Sequence, residues 1–491
     1  MKYLLAIDQG TSSTRAMLYT QSGQLVTMSQ HPLTQSYPKA GWVEHCPEEI
    51  WSKTLMAIKE VASHTDIKNI IACGITNQRE TTLIWDKQTG KCLYPAIVWQ
   101  DRRTENFCES LNGYSKMIKE KTGLRPDPYF SASKLHWLLT TIPEASILAE
   151  QNQLAFGTID TFLLWRLTKG SSHCTDVTNA SRTLLYNILS EQWDDDLLKL
   201  FNVPAGILPK VCASDASFGR IDSEFLGTSI PITGIAGDQQ AALIGQCCFD
   251  KGMTKATFGT GGFLLMNTGD AAVLSNHNLL TTIAYKINNQ TSYGLEGSLY
   301  HAGTTIKWLR DEMKLITSSA ESEHLAASLS NNEGVYLVPS FTGLGAPHWI
   351  SSPGAIITGL SRKSNAAHFA RAALESVAYQ TREVMDCMRE DSGITMSGLR
   401  VDGGMTVNHW FLQFLSSQCK VTVQKPHDIE TTALGAAMLA ALGCGDRSSL
   451  SSFQKNWKVE REVMPEQNEA SRERNFAGWL QAVRMLKASS E

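Results

Sequence analysis

The stretch LLAIDQGTSSTRAMLY, at residues 4–19, decides the predicted fold. Residues 4–7 are apolar and predict a short buried strand, and residues 15–19 predict a second strand that returns beside it. Between them lies the turn GTSS at residues 10–13. Glycine lets a ligand approach the backbone closely, and free N–H groups and hydroxyls are donors for an anion. The stretch therefore predicts a phosphate-binding hairpin or, taken alone, an ordinary hairpin with a polar tip.

Asp8 follows the first apolar run, so its carboxylate would lie beside the turn. Magnesium in proteins prefers oxygen ligands and keeps several waters, which makes Asp8 a candidate to hold a magnesium ion through water. The turn differs from a P-loop, because no lysine follows its glycine. A phosphate bound here would rely on backbone N–H groups and on hydroxyls.

A second stretch of the same form, MTKATFGTGGFLL at residues 253–265, lies near the middle of the chain. It again predicts a strand, a glycine-rich turn at residues 259–262 and a returning strand. A chain of 491 residues is too long for one hydrophobic core. The two hairpins predict two similar domains, residues 1–246 and 247–491, that face each other across a cleft. Chance similarity of two Gly-Thr turns is the alternative.

The composition is that of an ordinary globular protein, with 42% hydrophobic and 19% charged residues. The formal net charge is −4 and no long basic run occurs, so neither nucleic acid nor an anionic membrane is expected as a partner. The apolar run before Asp8 is shorter than a secretion signal, and no run is long enough to cross a membrane. Eleven cysteines, without a CxxC pair, predict free thiols. We therefore expect a cytoplasmic protein with no integral membrane segment.

Polar side chains follow the next predicted strands and could face a small polyol. Arg79 and Glu80 come after the apolar run at residues 70–75. Arginine donates to hydroxyl oxygens and glutamate accepts from hydroxyl hydrogens, although a solvent-exposed ion pair is the alternative. Trp99 could form an apolar wall or belong to the core. Tyr129, in the turn DPYF, could contact a ligand or lie at the surface.

Asp238 follows the predicted strand at residues 231–235, near the junction of the two halves. It could serve as a general base or a metal-positioning carboxylate, or it could simply cap the helix that follows. In the second half, Gly403 and Gly404 lie between a short predicted strand and a helix that begins near Asn408. A glycine pair before a helix N-terminus is a candidate floor for a nucleotide.

Three stretches of the second half have clear helical character. Residues 365–388 carry apolar positions at helical spacing, with Ser364 as the expected cap. Residues 431–442, TTALGAAMLAAL, are rich in small side chains, which suits close packing against another backbone. The last predicted helix lies near residues 471–487.

Taken together, these motifs resemble those of the FGGY carbohydrate kinases, within the actin-like ATPase superfamily, and among them the glycerol kinases. The resemblance covers almost the whole chain. The segments that carry it are AIDQGTSSTR, YPKAGWVEH, GITNQRETT, WQDRRT, DPYFS, TNASRT, GIAGDQQAAL, FGTGGFLLMNTG, WLRDEMKL, FTGLGAPHW, RVDGGMTVN and TTALGAA. Lys307 departs from the pattern, because a glutamine is expected there; Gly262 and Asp101 replace cysteines seen in some members.

The resemblance implies an α/β fold of two ribonuclease-H-like domains, of the actin-like ATPase kind, that face each other across a nucleotide and substrate cleft. It implies ATP-dependent phosphorylation of glycerol to sn-glycerol 3-phosphate, in glycerol catabolism, with ATP and Mg²⁺ as cofactors. It also implies a homo-oligomer, either a dimer or a tetramer.

The resemblance further implies three sets of site residues. The glycerol-binding set, with Asp238 as the catalytic base, is Arg79, Glu80, Trp99, Tyr129, Asp238, Gln239 and Phe263. The nucleotide-binding set is Thr11, Ser12, Ser13, Arg15, Thr260, Gly303, Lys307, Gly404 and Asn408. The metal-binding set is Asp8 and Asp238.

Two other functions stay open at this point. A related FGGY kinase could act on a longer sugar such as xylulose or gluconate. An actin-like or chaperone-like ATPase would have no phosphate acceptor and would need neither the Arg-Glu pair nor a base beside the cleft.

Overall fold

The computed structural model describes residues 1–351, 354–466 and 468–490. The strands of the first half are β1 (Tyr3–Gln9), β2 (Ser13–Thr20), β3 (Leu25–Pro32), β4 (Gln35–Ser36), β5 (Glu44–His45), β6 (Ile70–Asn77), β7 (Leu83–Asp86), β8 (Ala96–Ile97), β9 (Leu154–Gly157), β10 (Cys174–Asp176), β11 (Tyr186–Asn187), β12 (Gln192–Trp193), β13 (Lys210–Cys212), β14 (Gly219–Ile221) and β15 (Ile230–Gly237). Its α-helices are α1 (Pro47–Ala62), α2 (Glu105–Ser110), α3 (Ser115–Thr122), α4 (Ser131–Thr141), α5 (Pro143–Glu150), α6 (Ile159–Leu167), α7 (Val177–Ala180), α8 (Asp195–Leu200), α9 (Ser223–Leu226) and α10 (Asp238–Gly245).

The second half continues with a similar alternation of strands and helices. Its strands are β16 (Thr254–Phe258), β17 (Gly262–Gly269), β18 (Leu280–Ile287), β19 (Gln290–Leu299), β20 (Tyr336–Val338), β21 (Ile356–Thr358), β22 (Leu399–Asp402), β23 (Val423–Pro426) and β24 (Val459–Val463). Its α-helices are α11 (Gly303–Asp311), α12 (Glu321–Ala327), α13 (Ala366–Ser392), α14 (His409–Cys419), α15 (Thr431–Gly443), α16 (Ser451–Gln454) and α17 (Glu469–Ser490). Short 3₁₀-helices lie at Ile67–Asn69, Asn112–Tyr114, Ala205–Ile207 and Gly404–Val407.

The first large sheet has the strand order β14-β15-β6-β1-β2-β3. β1 and β2 form the predicted antiparallel hairpin, whereas β1, β6 and β15 run parallel. Side chains alternate between the two faces of a strand. Leu5 and Ile7 of β1 therefore join one hydrophobic cluster, whereas Leu4 and Ala6 join another, on the side of α10 and α15. Asp8 follows the alternation of Leu4 and Ala6 and so shares the second face.

The second large sheet repeats this plan, with the order β18-β19-β17-β16-β22-β23-β24. β16 and β17 form the second predicted hairpin, and β16, β22 and β23 run parallel. In both sheets an antiparallel hairpin leads into parallel strands and then into an antiparallel edge strand. The repeated order supports the prediction of two similar domains with mixed α/β architecture. Their exact division at residues 246 and 247 stays a prediction.

Helix α15 packs on the first sheet and against α10, although it belongs to the second half of the sequence. A Cβ atom on Gly435 would overlap the carbonyl oxygen of Ala241 in α10, and one on Gly74 of β6 would overlap the carbonyl of Ala436. The two glycines thus allow backbones to approach more closely than larger residues would. This contact confirms the packing predicted from the small side chains and joins the two halves tightly.

One predicted cap is wrong. Asn365, not Ser364, caps α13, because the Asn365 side chain accepts a hydrogen bond from the N–H of Ala367 at 3.1 Å. The Ser364 hydroxyl instead accepts from the N–H of Ser361, at 2.9 Å, within the preceding turn. In the described part of the chain, no helix is both long and apolar enough to cross a membrane.

Candidate active site

The candidate site lies at the carboxyl edge of the parallel strands in the first sheet. The registers of β1, β6 and β15 place the ends of these strands at one level. Asp8 lies near the end of β1, Arg79 and Glu80 follow β6, and Asp238 follows β15 directly. Open α/β sheets bind their ligands outside this edge. The topology alone therefore brings four of the predicted site residues to one place.

Arg79 is buried at the centre of the site, with 2% of its side chain exposed. Its Nη1 and Nη2 donate to the two carboxylate oxygens of Glu296, at 2.5 and 3.0 Å. Nη1 also donates to Gln240 Oε1 at 3.2 Å, Nη2 donates to the hydroxyl of Tyr129 at 3.4 Å, and Nε lies 3.2 Å from Asp238 Oδ1. Each of the five N–H groups of the guanidinium thus has an acceptor nearby.

Glu80 is also buried and has a left-handed backbone, with φ of 61°. This conformation costs a residue other than glycine on the order of 1–3 kcal/mol, and hydrogen bonds hold it in place. The Glu80 carbonyl accepts from the hydroxyls of Ser131 and Thr82, at 3.0 and 2.9 Å, and Arg182 Nε donates to Glu80 Oε1 at 2.6 Å. The alternative of a solvent-exposed Arg79–Glu80 pair is wrong, because neither side chain faces solvent.

Three aromatic rings form a wall beside this charged pair. The Trp99 ring lies edge-on to those of Tyr129 and Phe263, with centroid distances of 5.6 and 6.2 Å. Trp99 is half-buried rather than part of the core, and Tyr129 is buried rather than at the surface. Trp99 Nε1 donates to Thr11 Oγ1 at 2.9 Å. Trp99 therefore joins the turn of the first hairpin to Phe263 on β17 of the second.

Asp238 is the first residue of α10, and Gly237 takes the capping position. The expected alternative, in which the Asp238 side chain caps this helix, is therefore wrong. Its Oδ1 accepts from the N–H of Gln239 at 2.7 Å and faces Arg79. About a third of the side chain, 32%, stays exposed. Loss of hydration in the cleft raises the pKa of Asp238 to about 6, although Arg79 opposes the rise.

Gln239 faces the second domain and contacts a lysine there. Lys255 of β16 is fully buried, and its Nζ donates to Gln239 Oε1 and to Thr257 Oγ1, the latter at 3.0 Å. Burial lowers the pKa of Lys255 to about 8, against the opposing charges of Asp402 and Asp238. This amine thus reaches from the second hairpin to the residue next to Asp238.

The first hairpin carries a cation between two carboxylates. Arg15 Nη2 donates to Asp8 Oδ2, and Nη1 donates to Glu430 Oε2 at 2.5 Å. Asp8, the largest influence, and Glu430 raise the pKa of Arg15. In the turn, Ser12 is exposed, and Ser13 Oγ accepts from Gln30 Nε2 at 3.0 Å. Arg15 keeps 26% of its side chain exposed and so could still reach a phosphate.

The carboxylates of Asp8 and Asp238 suit a magnesium ion held through water. Arg15 contacts Oδ2 of Asp8, and Arg79 and Gln239 contact Oδ1 of Asp238. No hydrogen bond from the described residues reaches the other oxygen of either carboxylate. Those residues also hold no cluster of three or more metal-ligating side chains. Magnesium that arrives with a nucleotide needs only one or two carboxylates, because phosphates and waters supply its other ligands.

Three predicted nucleotide residues lie together at the second hairpin. The N–H of Gly303 donates to the carbonyl of Gly259 at 2.9 Å, and a Cβ atom on Gly303 would lie 2.6 Å from that oxygen. Thr260 is exposed beside it. Gly404 faces open space, and Met405 next to it lies 3.8 Å from the Cβ position of Gly303. The result is a surface of glycines and backbone groups.

The other two predicted nucleotide residues differ in their surroundings. Asn408 is buried, and its Oδ1 accepts from the N–H of Phe411 at 2.8 Å, so that it caps α14. Lys307 is exposed on α11, about one turn after Gly303. For both, a contact with nucleotide stays a prediction.

Three buried charged residues of the site were missed by the sequence analysis, namely Glu296, Arg182 and Lys255. Glu296 and Lys255 are single charges inside otherwise apolar or small strands, GLEGSL and TKATF. A charge in a buried strand needs a partner, so this pattern could have identified them. Arg182 lies within the segment TNASRT, but nothing local indicates its partner.

Models of the FGGY family of carbohydrate kinases match both halves of the chain. The N-terminal domain of that family matches residues 3–245, and the C-terminal domain matches residues 254–444. Glycerol kinase of Gluconobacter oxydans (strain 621H) is 52% identical over 98% of this chain and 94% of its own length. Glycerol kinase of Petrotoga mobilis (strain DSM 10674 / SJ95) is 50% identical over 98% of both chains.

Solved structures show the same architecture. The crystal structure of Plasmodium falciparum glycerol kinase with ADP superposes with a TM-score of 0.93, at 39% sequence identity. The superposition covers 99% of this chain and 98% of the other. The two-domain α/β fold is therefore common to the two proteins.

Proposed function

The chain belongs to the FGGY family of carbohydrate kinases, and from this premise we propose that it phosphorylates glycerol with ATP, giving sn-glycerol 3-phosphate. One observation carries the proposal. A buried arginine–glutamate pair, Arg79 and Glu80, lies beside the partly exposed carboxylate of Asp238. Arg79 also contacts the hydroxyl of Tyr129, whose ring lies edge-on to that of Trp99. A small polyol needs such a combination of donors, acceptors and one apolar wall.

Asp238 acts as the general base in this proposal. With a pKa near 6 it is ionised at neutral pH and close to the range in which a base accepts a proton efficiently. The proton of a terminal glycerol hydroxyl passes to Asp238 as the hydroxyl oxygen bonds to the γ-phosphorus. The bond between that phosphorus and the bridging oxygen breaks, and ADP leaves with the electron pair. Arg79, 3.2 Å from Asp238, holds the carboxylate in place.

In this proposal, the buried polar residues and the aromatic wall bind glycerol. The Nη2 N–H group of Arg79 that faces the Tyr129 hydroxyl, at 3.4 Å, would donate to a glycerol oxygen in place of that long contact. Glu80 would accept from two adjacent hydroxyls. Trp99 and Phe263, whose ring centroids lie 6.2 Å apart, would lie against the carbon chain and form one side of the pocket. A longer acceptor such as xylulose or gluconate would have to pass this wall, which favours glycerol. Tyr129 and Gln239 complete the set.

Phosphates and metal would be held at the first hairpin. Thr11, Ser12 and Ser13 offer hydroxyls and backbone N–H groups, and Arg15 adds a cation. Asp8 and Asp238 would hold Mg²⁺, which when bound with ATP neutralises phosphate charge.

The rest of the nucleotide would lie on the surface formed by the second hairpin and the glycine pair. The contacts proposed there are Thr260, Gly303, Lys307, Gly404 and Asn408. Backbone N–H groups and open space suit the close approach of a ligand.

A coupled ADP-release assay tests the proposal. Purified protein is given ATP and Mg²⁺ with glycerol, xylulose, gluconate or no acceptor. The proposal expects turnover with glycerol at a kcat/KM well above that of either sugar. Preference for a sugar would identify another FGGY kinase. ADP release at one rate with and without every acceptor would identify an ATPase without a phosphate acceptor.

Two further properties are proposed on the basis of the sequence. A cytoplasmic location follows from the predicted free thiols and the short apolar runs. A homo-oligomer, dimer or tetramer, follows from the family resemblance. Size-exclusion chromatography with light scattering would measure the mass, and a monomer at working concentration would contradict the second property.

A further inference from the structure

Two buried charged side chains lie behind the proposed glycerol residues. Glu296 is on β19 of the second half, and Arg182 follows α7 of the first half. Neither side chain has any exposed area. Because burying a charge without a partner is strongly unfavourable, each must have a compensating contact.

Glu296 holds the guanidinium of Arg79 from the second domain. Its two oxygens accept from Nη1 and Nη2 of Arg79 in a fork-to-fork geometry. Such a bidentate pair fixes the plane of the guanidinium as well as its position. The N–H groups of Arg79 that lie nearest to Tyr129 and Asp238 are therefore aimed at the proposed pocket by Glu296.

Arg182 holds the carboxylate of Glu80 through a single hydrogen bond. Its Nε donates to Glu80 Oε1 at 2.6 Å, and its Nη2 lies 3.0 Å from Glu296 Oε1. The guanidinium also lies 5.4 Å from the centre of the Tyr129 ring. Arg79, Glu296, Arg182 and Glu80 thus form a closed ring of alternating charges with no net charge. Arg182 and Arg79 together hold the pKa of Glu296 down to about 2, although burial raises it.

The position of Glu296 also links the ring to the aromatic wall. β19 pairs with β17, and Glu296 lies opposite Leu265, two residues from Phe263. Because β19 and β17 are hydrogen-bonded, a shift of β19 would move Glu296, the partner of Arg79, together with Phe263 of the aromatic wall. Glycerol binding thus depends on the second domain through one hydrogen-bonded carboxylate and one ring.

We propose that Glu296 and Arg182 are positioning residues for the acceptor: Glu296 orients Arg79, and Arg182 orients the carboxylate of Glu80. The inference rests on the proposed glycerol kinase function and adds to it two residues that do not touch the substrate. It predicts that their loss weakens glycerol binding while nucleotide binding is kept.

The test compares Glu296→Gln and Glu296→Asp with a matched control, Glu375→Gln. Glu375 of α13 is a second buried carboxylate, paired with Arg371 at 2.7 Å and bonded to the Tyr379 hydroxyl. Steady-state assays with glycerol and ATP give both KM values and kcat, and thermal unfolding reports the fold. Wild-type turnover with glycerol, measured first, tests the proposed function separately.

Glu296→Gln should raise the glycerol KM about tenfold or more, as for a weakened charge-assisted hydrogen bond, with the ATP KM changed less than about twofold. Glu296→Asp keeps the charge, so its glycerol KM should lie between those of Glu296→Gln and wild type. If Glu296→Gln does not fold, the glycerol KM of Glu296→Asp tests the inference. Glu375→Gln should lower the unfolding temperature without changing the glycerol KM.

Three results would overturn the inference. These are a glycerol KM within about twofold of wild type in the folded Glu296 variants, an equal rise in both KM values, or the same rise in Glu375→Gln. If wild-type protein does not turn over glycerol, the proposed function and the inference both fail. If only the variant pattern fails, the proposed function stands.

Discussion

The proposed acceptor side and the proposed nucleotide side of the cleft are built in opposite ways. On the acceptor side, Arg79 and Glu80 are buried and held by further buried charges from distant parts of the chain. On the nucleotide side, Thr260, Lys307 and Gly404 are exposed, and much of the surface is glycine and backbone. The first arrangement fixes side chains before any ligand binds, whereas the second offers backbone groups to a ligand that approaches.

This difference teaches where single substitutions should matter. Removing one partner of a buried, hydrogen-bonded charge leaves the other uncompensated, which costs about 3–5 kcal/mol. An exposed charge contributes typically less than about 1 kcal/mol. Variants on the acceptor side should therefore have much larger effects than variants on the exposed nucleotide side.

The largest effect is expected from Asp238→Asn. An amide cannot accept the glycerol proton, so kcat should fall by about two to four orders of magnitude, as for the loss of a positioned base. Glycerol binding and the unfolding temperature should change little, because the asparagine oxygen can still accept from Gln239 and Arg79 keeps its charged partner Glu296. A folded variant with a kcat near that of wild type would remove Asp238 from the role of base.

Glu80→Ala should act mainly on glycerol. Each lost hydrogen bond from a hydroxyl to the carboxylate corresponds to roughly 1.5–3 kcal/mol, so the glycerol KM should rise strongly while the ATP KM is nearly unchanged. Arg182 loses its 2.6 Å partner in this variant, so the unfolding temperature should also fall. Steady-state kinetics with each substrate varied in turn give the glycerol KM and the ATP KM separately. Equal weakening of both substrates would assign Glu80 a structural role.

The pH dependence of kcat tests whether Asp238 acts as the base. A protonated carboxyl cannot accept a proton, so kcat should be nearly constant at neutral pH and fall as the pH drops through the pKa of Asp238, near 6. The slope below that pKa should approach about tenfold per pH unit. Rates measured from pH 5 to 8 check this at saturating substrates. A profile that stays flat down to pH 5 would argue against a base with this pKa.

Much of this comparison could be predicted from the sequence, because it depends on local patterns. The glycine turns and apolar runs predicted both hairpins, and the apolar runs before them predicted that Arg79 and Glu80, and separately Asp238, each follow a strand. Small residues predicted the packing of α15. Each of these features is encoded within about twenty neighbouring residues.

The buried partners could not be predicted in this way. Glu296 is 217 residues from Arg79, and Arg182 is 102 residues from Glu80. No periodicity specifies which distant charges will pair, since that depends on how the two domains pack. The wrong prediction of Ser364 as the cap of α13 has a local cause. Ser364 and Asn365 are neighbouring residues that can both cap a helix, and only Asn365 does so.

The smallest effect is expected from Lys307→Gln, which introduces the residue that the family resemblance leads us to expect at this position. Lys307 is exposed on α11, so the variant should change the ATP KM by no more than about fivefold, an upper bound for an exposed charge. Any effect should shrink at higher salt, because exposed charges are screened. A large change in the glycerol KM would contradict the division of the cleft into two sides.

The most direct measurement follows both products by ³¹P NMR. ATP, Mg²⁺ and glycerol are incubated with the protein, and a parallel sample contains no glycerol. We expect one phosphate monoester of glycerol for each ADP formed, and little ADP or inorganic phosphate without glycerol. Inorganic phosphate released at the same rate in both samples, with no phosphate ester of glycerol, would contradict it.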